Sequence, residues 1–346
     1  MRTGITTLSL EDIIVSQDKL LDFDSVLIEP QFSMVRSRKD VDVSTDFLGM
    51  KLSLPVMNSN MDTVASPSLC RALSDYGTVG TLHRFWSIEE NVKAFVESIS
   101  PEGKGVCPIV SIGIGDKEFE RAQALYDVGA SRFMLDVAHA ANISAVEMYN
   151  RLVKEFPYCY FIVGDFGTGK EILEFLTKVS KFPDAVKVGI GVGSVCHTKL
   201  VTGVGSAALS CLFDCADALD DSDLFDKKIQ LVLDGGVQHY GDIAKALVAG
   251  ADVVISGSMF AGCLEAGGKQ FNGVKEYRGS ASLPSYEVQG KVATWRAPEG
   301  TSTMIQITGT ASEVLNNING GLRSSLSYVG AFNLDEFKAK AKFQYK

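Results

Sequence analysis

One cysteine in this sequence stands where a nucleophile would be useful. From Val188 to Gly205 the chain reads V-G-I-G-V-G-S-V-C-H-T-K-L-V-T-G-V-G: an apolar run ends in a loop of glycines that carries Cys196, with Thr198 two residues on. Gly191 and Gly193 lack a Cβ, so the main chain there can come close to a ligand. A thiolate attacks electrophilic carbon, and a neighbouring hydroxyl can donate to the anion. The plainer alternative is a glycine-rich turn around a packed cysteine, since free cysteine is often simply buried.

The elements that would position this loop follow from periodicity. Short apolar runs at 54–58, 77–83, 106–112, 132–137, 160–164, 185–190, 229–234 and 251–256 alternate with amphipathic segments such as 86–98, 116–128, 142–155, 169–180, 206–219 and 240–249. Near-continuous apolar strands followed by helices imply a parallel sheet covered on both faces. Eight such units predict a (β/α)8 barrel in a single domain over residues 1–346. A doubly wound sheet is the alternative, but no G-x-G-x-x-G follows the first strand. Residues 1–50 read as an irregular leader, with a short apolar element at 23–27 and a solvated basic patch at 36–39. Residues 268–300 read as a polar flap over the barrel mouth, too rich in Gly, Ser and Pro for a core element. The final stretch, 335–346, reads as a frayed, solvated basic tail.

In such a barrel the active site lies where the strands end, and polar and glycine residues collect there. The runs end in N-S-N-M-D-T (58–63), His83-Arg84, Asp136, Gly164-Asp165, the cysteine loop, D-G-G (234–236) and S-G-S-M (256–259). Taken singly, each reads equally well as a cap or a turn. The last two loops are the habitual phosphate seat of this fold, through glycine amides and a helix N-terminus. Asp234 repels phosphate but suits the vicinal hydroxyls of a ribose, so the implied ligand is a nucleotide. Glu299, between Pro298 and Gly300, is placed to be presented on a turn.

Composition narrows the partners. The 346 residues are 46% hydrophobic and 22% charged, with a net charge of −9, which argues against nucleic acid or an anionic membrane. The seven cysteines, at 70, 107, 159, 196, 211, 215 and 263, include no C-x-x-C pair, so no zinc site or redox dithiol is signalled; Cys211 and Cys215 read as core. No run is long enough to span a membrane. The first residues carry acidic groups by position 12 and no apolar signal segment, and a cytoplasmic protein is expected.

Together N-M-D-T-V (60–64), V-K-V-G-I-G-x-G-S-V-C-x-T (186–198), T-G-V-G (202–205), D-G-G (234–236) and G-G-L-R-S (320–324) resemble the IMP dehydrogenase/GMP reductase family. The likeness runs from about Phe23 to about Gly330 and implies a (β/α)8 barrel, usually tetrameric. Many dehydrogenases of the family insert a regulatory domain after the second strand; here Trp86 leads straight into a helix. Their flap carries an adjacent Arg-Tyr pair that activates water, and none occurs between Ser282 and Glu299. W-R-A-P-E-G (295–300) is similar to the reductases' Arg-Ala-Ser-Glu-Gly. The balance favours the reductase branch, with NADPH as cofactor and a purine nucleotide as substrate.

By that resemblance Cys196, Thr198 and Glu299 are catalytic. Ser194, Asp234, Gly235, Gly236, Gly257, Ser258 and Tyr277 hold the ribose phosphate. Gly279, Ser280, Ala281, Arg296, Pro298 and Gly300 surround the base. Arg84, Asp136, Val137, Ala138, Ile190 and Gly191 line the cofactor, with Ser37, Arg38, Ser324 and Ser327 reaching in from a neighbouring subunit. Carbonyls of Gly191, Gly193 and Cys196 hold a monovalent cation such as potassium.

The sequence also departs from the family. Val192 stands for Pro, His197 for Thr, Lys199 for Arg and Asp165 for Asn. Gly279-Ser280-Ala281 replaces the reductases' Gly-Met-Ser, and Pro298 replaces Ser, so two hydroxyls expected near the 2-amino group are missing. His197 either lowers the thiol's pKa or faces the surface. Three readings stay open: a GMP reductase; a family enzyme for a modified or deoxy purine nucleotide, or an insertless IMP dehydrogenase; and a non-catalytic nucleotide-binding protein. A pure binder needs no Cys196, Thr198 and Glu299.

Overall fold

The computed structural model describes residues 7–8, 20–99, 105–220, 228–290 and 292–346. Most of the segment read as the start of an irregular leader, including the acidic residues up to position 12, lies outside the described residues. Eight parallel strands form the central sheet: β1 (Val56–Asn58), β2 (Thr81–Leu82), β3 (Ile109–Ile112), β4 (Arg132–Asp136), β5 (Tyr160–Phe166), β6 (Ala185–Val188), β7 (Gln230–Asp234) and β8 (Val253–Ser256). They neighbour one another in chain order, and β8 pairs back onto β1. The remaining seam, between β1 and β2, is closed by a side chain. Asn58 accepts the Thr81 amide at 2.8 Å and donates to the Thr81 carbonyl at 3.1 Å, while the Thr81 hydroxyl donates to the Asn58 carbonyl at 2.7 Å. The protein is therefore a (β/α)8 barrel, as the alternation of runs predicts.

One helix of the outer ring follows each of the first seven strands: α1 (Pro67–Tyr76), α2 (Ile88–Ser98), α3 (Asp116–Asp127), α4 (Ile143–Glu155), α5 (Gly169–Leu176), α6 (Ala208–Asp220, after a short helix at Thr198–Thr202) and α7 (Tyr240–Val248); the long α8 (Ala311–Val329) completes the ring. Side-chain caps start several of them. Ser66, Asn142 and Thr168 each accept an amide in the first turn, and Ser87–Glu90 and Thr310–Glu313 form reciprocal capping boxes.

Strand alternation divides the core into two. Met57, Ile109, Met134, Ile162, Ala185, Val232 and Val253 point inside the barrel, where Phe47, Leu48 and Met50 of an N-terminal hairpin plug the lower end. Their neighbours, among them Phe133, Val163, Val186 and Leu233, pack outward under the helices. Cys211 and Cys215 are buried in that outer core, as expected. No described helix is long and apolar enough to cross a membrane.

Three segments differ from the sequence reading. The leader is not irregular throughout: Val26–Ile28 is a strand, and Thr45–Phe47 and Met50–Leu52 pair as the antiparallel hairpin. The chain end is not frayed: Leu334–Lys340 is a helix and Phe343–Tyr345 a strand paired with Val26–Ile28. Leu334, Phe337 and Phe343 supply the apolar contacts, with Phe343 edge-on to Phe213 at 5.6 Å. The interspersed lysines masked this pattern. Lys338 pairs with Asp252 at 3.2 Å, and Lys340 donates to the Gly330 carbonyl at 2.9 Å. The flap is also regular, a three-stranded antiparallel sheet of β9 (Gln270–Phe271), β10 (Val274–Arg278) and β11 (Ser302–Gln306) plus a short helix at Leu283–Val288. Its base is anchored by the buried Lys275, whose ammonium donates to the carbonyls of Cys263, Leu264 and Ala266 at 2.7–3.0 Å.

Candidate active site

The carboxyl ends of the strands and the flap enclose a cavity of about 390 Å³, the size class of a small-molecule site. The cysteine loop forms one wall. Cys196 Sγ lies 3.3 Å from Thr198 Oγ1, within reach of a hydroxyl-to-sulfur hydrogen bond. Gly191 adopts a φ of +73°, a left-handed backbone that favours glycine. The loop is stitched to the flap's return, with His197 N donating to the Glu299 carbonyl at 2.6 Å and Thr301 N to the Val195 carbonyl at 3.0 Å. Cys196 and Gly300 thus face each other across a bridge, and Glu299 lines the same cavity as the thiol.

Arg84, Asp136, Val137 and Ala138 also line the cavity, with Ile190 at the start of the cysteine loop. Arg84 donates to the Asp136 carbonyl at 3.4 Å, and its Nε is buried without a protein partner. Burial alone would raise the Asp136 carboxyl, but the Lys187 ammonium and the Arg84 guanidinium outweigh it and hold the group below the ordinary carboxylate range.

The far end is built from Asp234, Gly235, Gly257 and Tyr277. Gly235 and Gly236 have φ of +87° and +79°, which explains the D-G-G turn. A Cβ on Gly257 would stand 2.7 Å from the Tyr277 hydroxyl and 3.2 Å from Ser59 Oγ, so two hydroxyls converge on bare backbone. Burial raises the Tyr277 phenol, a Ser194 hydrogen bond partly opposing it. Ser59 Oγ is buried with no partner. An orphaned hydroxyl costs free energy unless something binds it.

The flap roofs the site with Gly279, Ser280, Ala281, Arg296, Glu299 and Gly300. Arg296 lies over the Tyr286 ring, 5.3 Å from its centroid. Ser194, Gly236 and the outer face of the cysteine loop border a second cavity of about 360 Å³. Ser258 is turned away, its hydroxyl 3.3 Å from the Val237 carbonyl, and neither Pro298 nor the His197 side chain is among the lining groups.

Ser37, Arg38, Ser324 and Ser327 stand apart from the cavity of their own chain. Arg38 donates to the Tyr328 hydroxyl at 3.2 Å, and Ser324 and Ser327 donate to carbonyls of α8.

Ser59 sits in the N-S-N-M-D-T run (58–63) without a role of its own in the sequence reading, and four further lining or adjoining groups were not singled out there: Phe85, Tyr286, Gln289 and Lys187. Only Lys187 carried a signal, a charge inside the apolar run A-V-K-V. Tyr286 and Gln289 lie at the helix within the flap, where composition gave no periodicity to follow.

Comparison with known proteins agrees with this architecture. The model of the IMP dehydrogenase / GMP reductase domain matches residues 20–346. A GMP reductase of Caenorhabditis elegans is 34% identical over 341 residues, covering 95% of this chain and 92% of the relative. One from Klebsiella pneumoniae is 35% identical over 342 residues, 95% of each chain.

Proposed function

The chain belongs to the IMP dehydrogenase / GMP reductase family, and we propose that it works there as a GMP reductase, converting GMP to IMP and ammonia at the expense of NADPH. One observation carries the reading. A thiol, a hydroxyl 3.3 Å from it and a glutamate whose backbone carbonyl is held by the thiol's own loop line one cavity at the barrel mouth.

In this mechanism Cys196 Sγ, as thiolate, bonds to C2 of the purine, and the electron pair moves onto the ring nitrogen. Thr198 Oγ1 donates to the sulfur before attack and is then free to turn to the 2-amino group. Glu299 supplies the proton with which that group departs as ammonia, leaving the purine joined to Cys196 as a thioimidate. Asp234 accepts from the ribose hydroxyls. Gly235, Gly257, Ser59 and Tyr277 offer donors to the phosphate, with Ser194 beside Tyr277. The flap residues Gly279 to Ala281 and Arg296 to Gly300 close over the base and exclude water, which would otherwise hydrolyse the adduct.

A nicotinamide cofactor fits the remaining wall, where Arg84 presents a buried, unpartnered Nε and Asp136 to Ala138 with Ile190 form an open strip. When bound, it supplies the hydride that replaces sulfur at C2. Arg84 and Asp136 would help hold it, and Ser37, Arg38, Ser324 and Ser327 would complete its site from a neighbouring subunit of a tetramer. The carbonyls of Gly191, Gly193 and Cys196 are hard neutral oxygen donors, a set that suits potassium.

A second reading concerns the base. Ala281 has no hydroxyl and Pro298 lies off the cavity, so of these flap positions only Ser280 offers one, and a modified or deoxy guanine nucleotide is the alternative substrate. The test is nicotinamide absorbance with purified protein, NADPH and a panel headed by GMP and dGMP, with ammonia assayed in parallel. Stoichiometric ammonia that vanishes in Cys196→Ala supports the reductase. No turnover with any guanine nucleotide contradicts it.

A further inference from the structure

Strand alternation brings Asp136, Gly164, Lys187 and Asp234 into one interior layer, each two residues beyond a barrel-filling side chain (Met134, Ile162, Ala185 and Val232). Gly164 makes room for Lys187: a Cβ there would stand 2.6 Å from the Lys187 carbonyl oxygen and run into its Cβ. The ladder between β5 and β6 then slips, Lys187 pairing with Gly164 but Val188 with Phe166. The skipped residue is Asp165, and such a bulge re-aims a side chain. Asp165 Oδ1 lies 2.7 Å from Lys187 Nζ, Asp136 Oδ1 lies 3.1 Å from it, and Asp234 Oδ2 also touches it.

One fully buried ammonium therefore faces three carboxyl groups, whose oxygens lie within 4.8 Å of one another. The ammonium already fills the place a cation would take. Three ionised carboxylates would outnumber Lys187 by two negative charges and leave one even with Arg84 on the Asp136 side, and carboxyls this close do not all ionise. Burial raises Asp165, and although Lys187 opposes this, Asp234 and Asp136 push it further up. Arg84 and Asn60 also face the cluster, on the Asp136 side, and the Tyr277 phenol faces it beside Asp234, whose charge adds to burial in raising the phenol.

We propose that Asp165 is a positioning residue that keeps its proton at neutral pH, and that this proton sets how firmly Asp136 and Asp234 hold the ligands of the cavity. The neutral acid donates a hydrogen bond within the cluster and leaves the other two carboxylates drawn onto Lys187. Ionised, it repels both and adds negative charge beside the seat of an anionic nucleotide. Asn, the family's residue at this position, is the permanently neutral group of the same shape, so Asp165 makes the same site pH-sensitive. This rests on Asp136 and Asp234 being the ligand-contacting residues named above.

The test compares the wild type with Asp165→Asn. Infrared difference spectra of the unliganded protein should show, at neutral pH, the C=O stretch of a protonated carboxyl that is absent from the variant. Calorimetric titration with GMP between about pH 7 and about pH 9.5 should show wild-type affinity falling on the alkaline side, toward about tenfold per pH unit, and no such fall in the variant. A band common to both proteins overturns the proposal, as do parallel or flat affinity profiles. The band present but no GMP bound at any pH upholds the proton and refutes the guanine-nucleotide reading. Should the variant not fold, carbon-13 spectra of aspartate-labelled wild type decide: a carboxyl carbon at the neutral-acid shift near pH 7 supports the proposal, and its absence overturns it.

Discussion

The His197 amide donates to the Glu299 carbonyl at 2.6 Å, so the Cys196 loop itself fixes where the acidic flap residue stands. With the Thr301–Val195 and Glu299–Ala281 bonds, at 3.0 and 2.9 Å, loop and flap form one unit around Cys196. Glu299 is thus held against the Cys196 loop although the two lie far apart in the chain.

Glu299→Gln keeps this backbone pairing and removes only the transferable proton. It should lower kcat by roughly 10²–10⁴-fold, the usual range for a lost general acid, while nucleotide affinity changes little. Steady-state kinetics with a separate binding titration check the split; an equal rise in KM with kcat intact would assign Glu299 to binding.

Cys196→Ala should abolish turnover, by at least about 10³-fold, without unfolding the loop, whose bonds to the flap are made by backbone. Thr198→Val should cost less, at the low end of the roughly 10²–10⁴-fold range of a positioned proton donor. In the double variant the two losses should not add, because residues acting as a unit are non-additive. Ammonia release measured on all three proteins tests this.

Ser59→Ala removes a buried hydroxyl that has no partner. The unliganded protein should gain about 1 kcal/mol, since the desolvation penalty disappears, and its Tm should rise. The nucleotide should bind more weakly, as its donor is gone. Thermal scans with and without GMP separate the two effects: the ligand-induced shift should shrink while the baseline climbs.

Much of this was legible because the barrel repeats one signal. Runs such as R-F-M-L-D and Q-L-V-L-D end in the acidic residue that reaches the mouth, so strand, inward face and site residue are written together. The cysteine loop could be read for the same reason. The tail was misread because the charge of Lys338, Lys340 and Lys342 hid the spacing of Phe337 and Phe343. Asp165 meets Lys187 only through a one-residue slip in the ladder, and strict alternation points away from it. Tyr286 reaches the cavity through the fold of the flap, a long-range outcome that no local pattern encodes.

His83 offers a test of acid stability. It is 2% exposed, its Nδ1 accepts the Phe85 amide at 3.1 Å and its ring lies 3.6 Å from that of Trp86. Burial, with Arg121 and Arg278 adding, pushes its pKa down to about 3. The unfolded chain therefore binds a proton below about pH 6.5 that the native state refuses. Stability from this residue is complete above that value and is lost as pH falls toward 3. Chemical denaturation of His83→Gln should show a shallower decline between about pH 6 and about pH 4, by on the order of a few kcal/mol; identical slopes would mean the imidazole is protonated in the fold.

The central claim is that Cys196 holds a guanine nucleotide at C2 while a hydride replaces the amino group. The most direct measurement incubates the protein with GMP and NADPH deuterated at the transferred position, then determines product mass and ammonia together. The account predicts IMP carrying a single deuteron at C2, equimolar ammonia, and neither product from Cys196→Ala. Unlabelled product, or oxidation of IMP to XMP with NAD in place of GMP reduction, would contradict it.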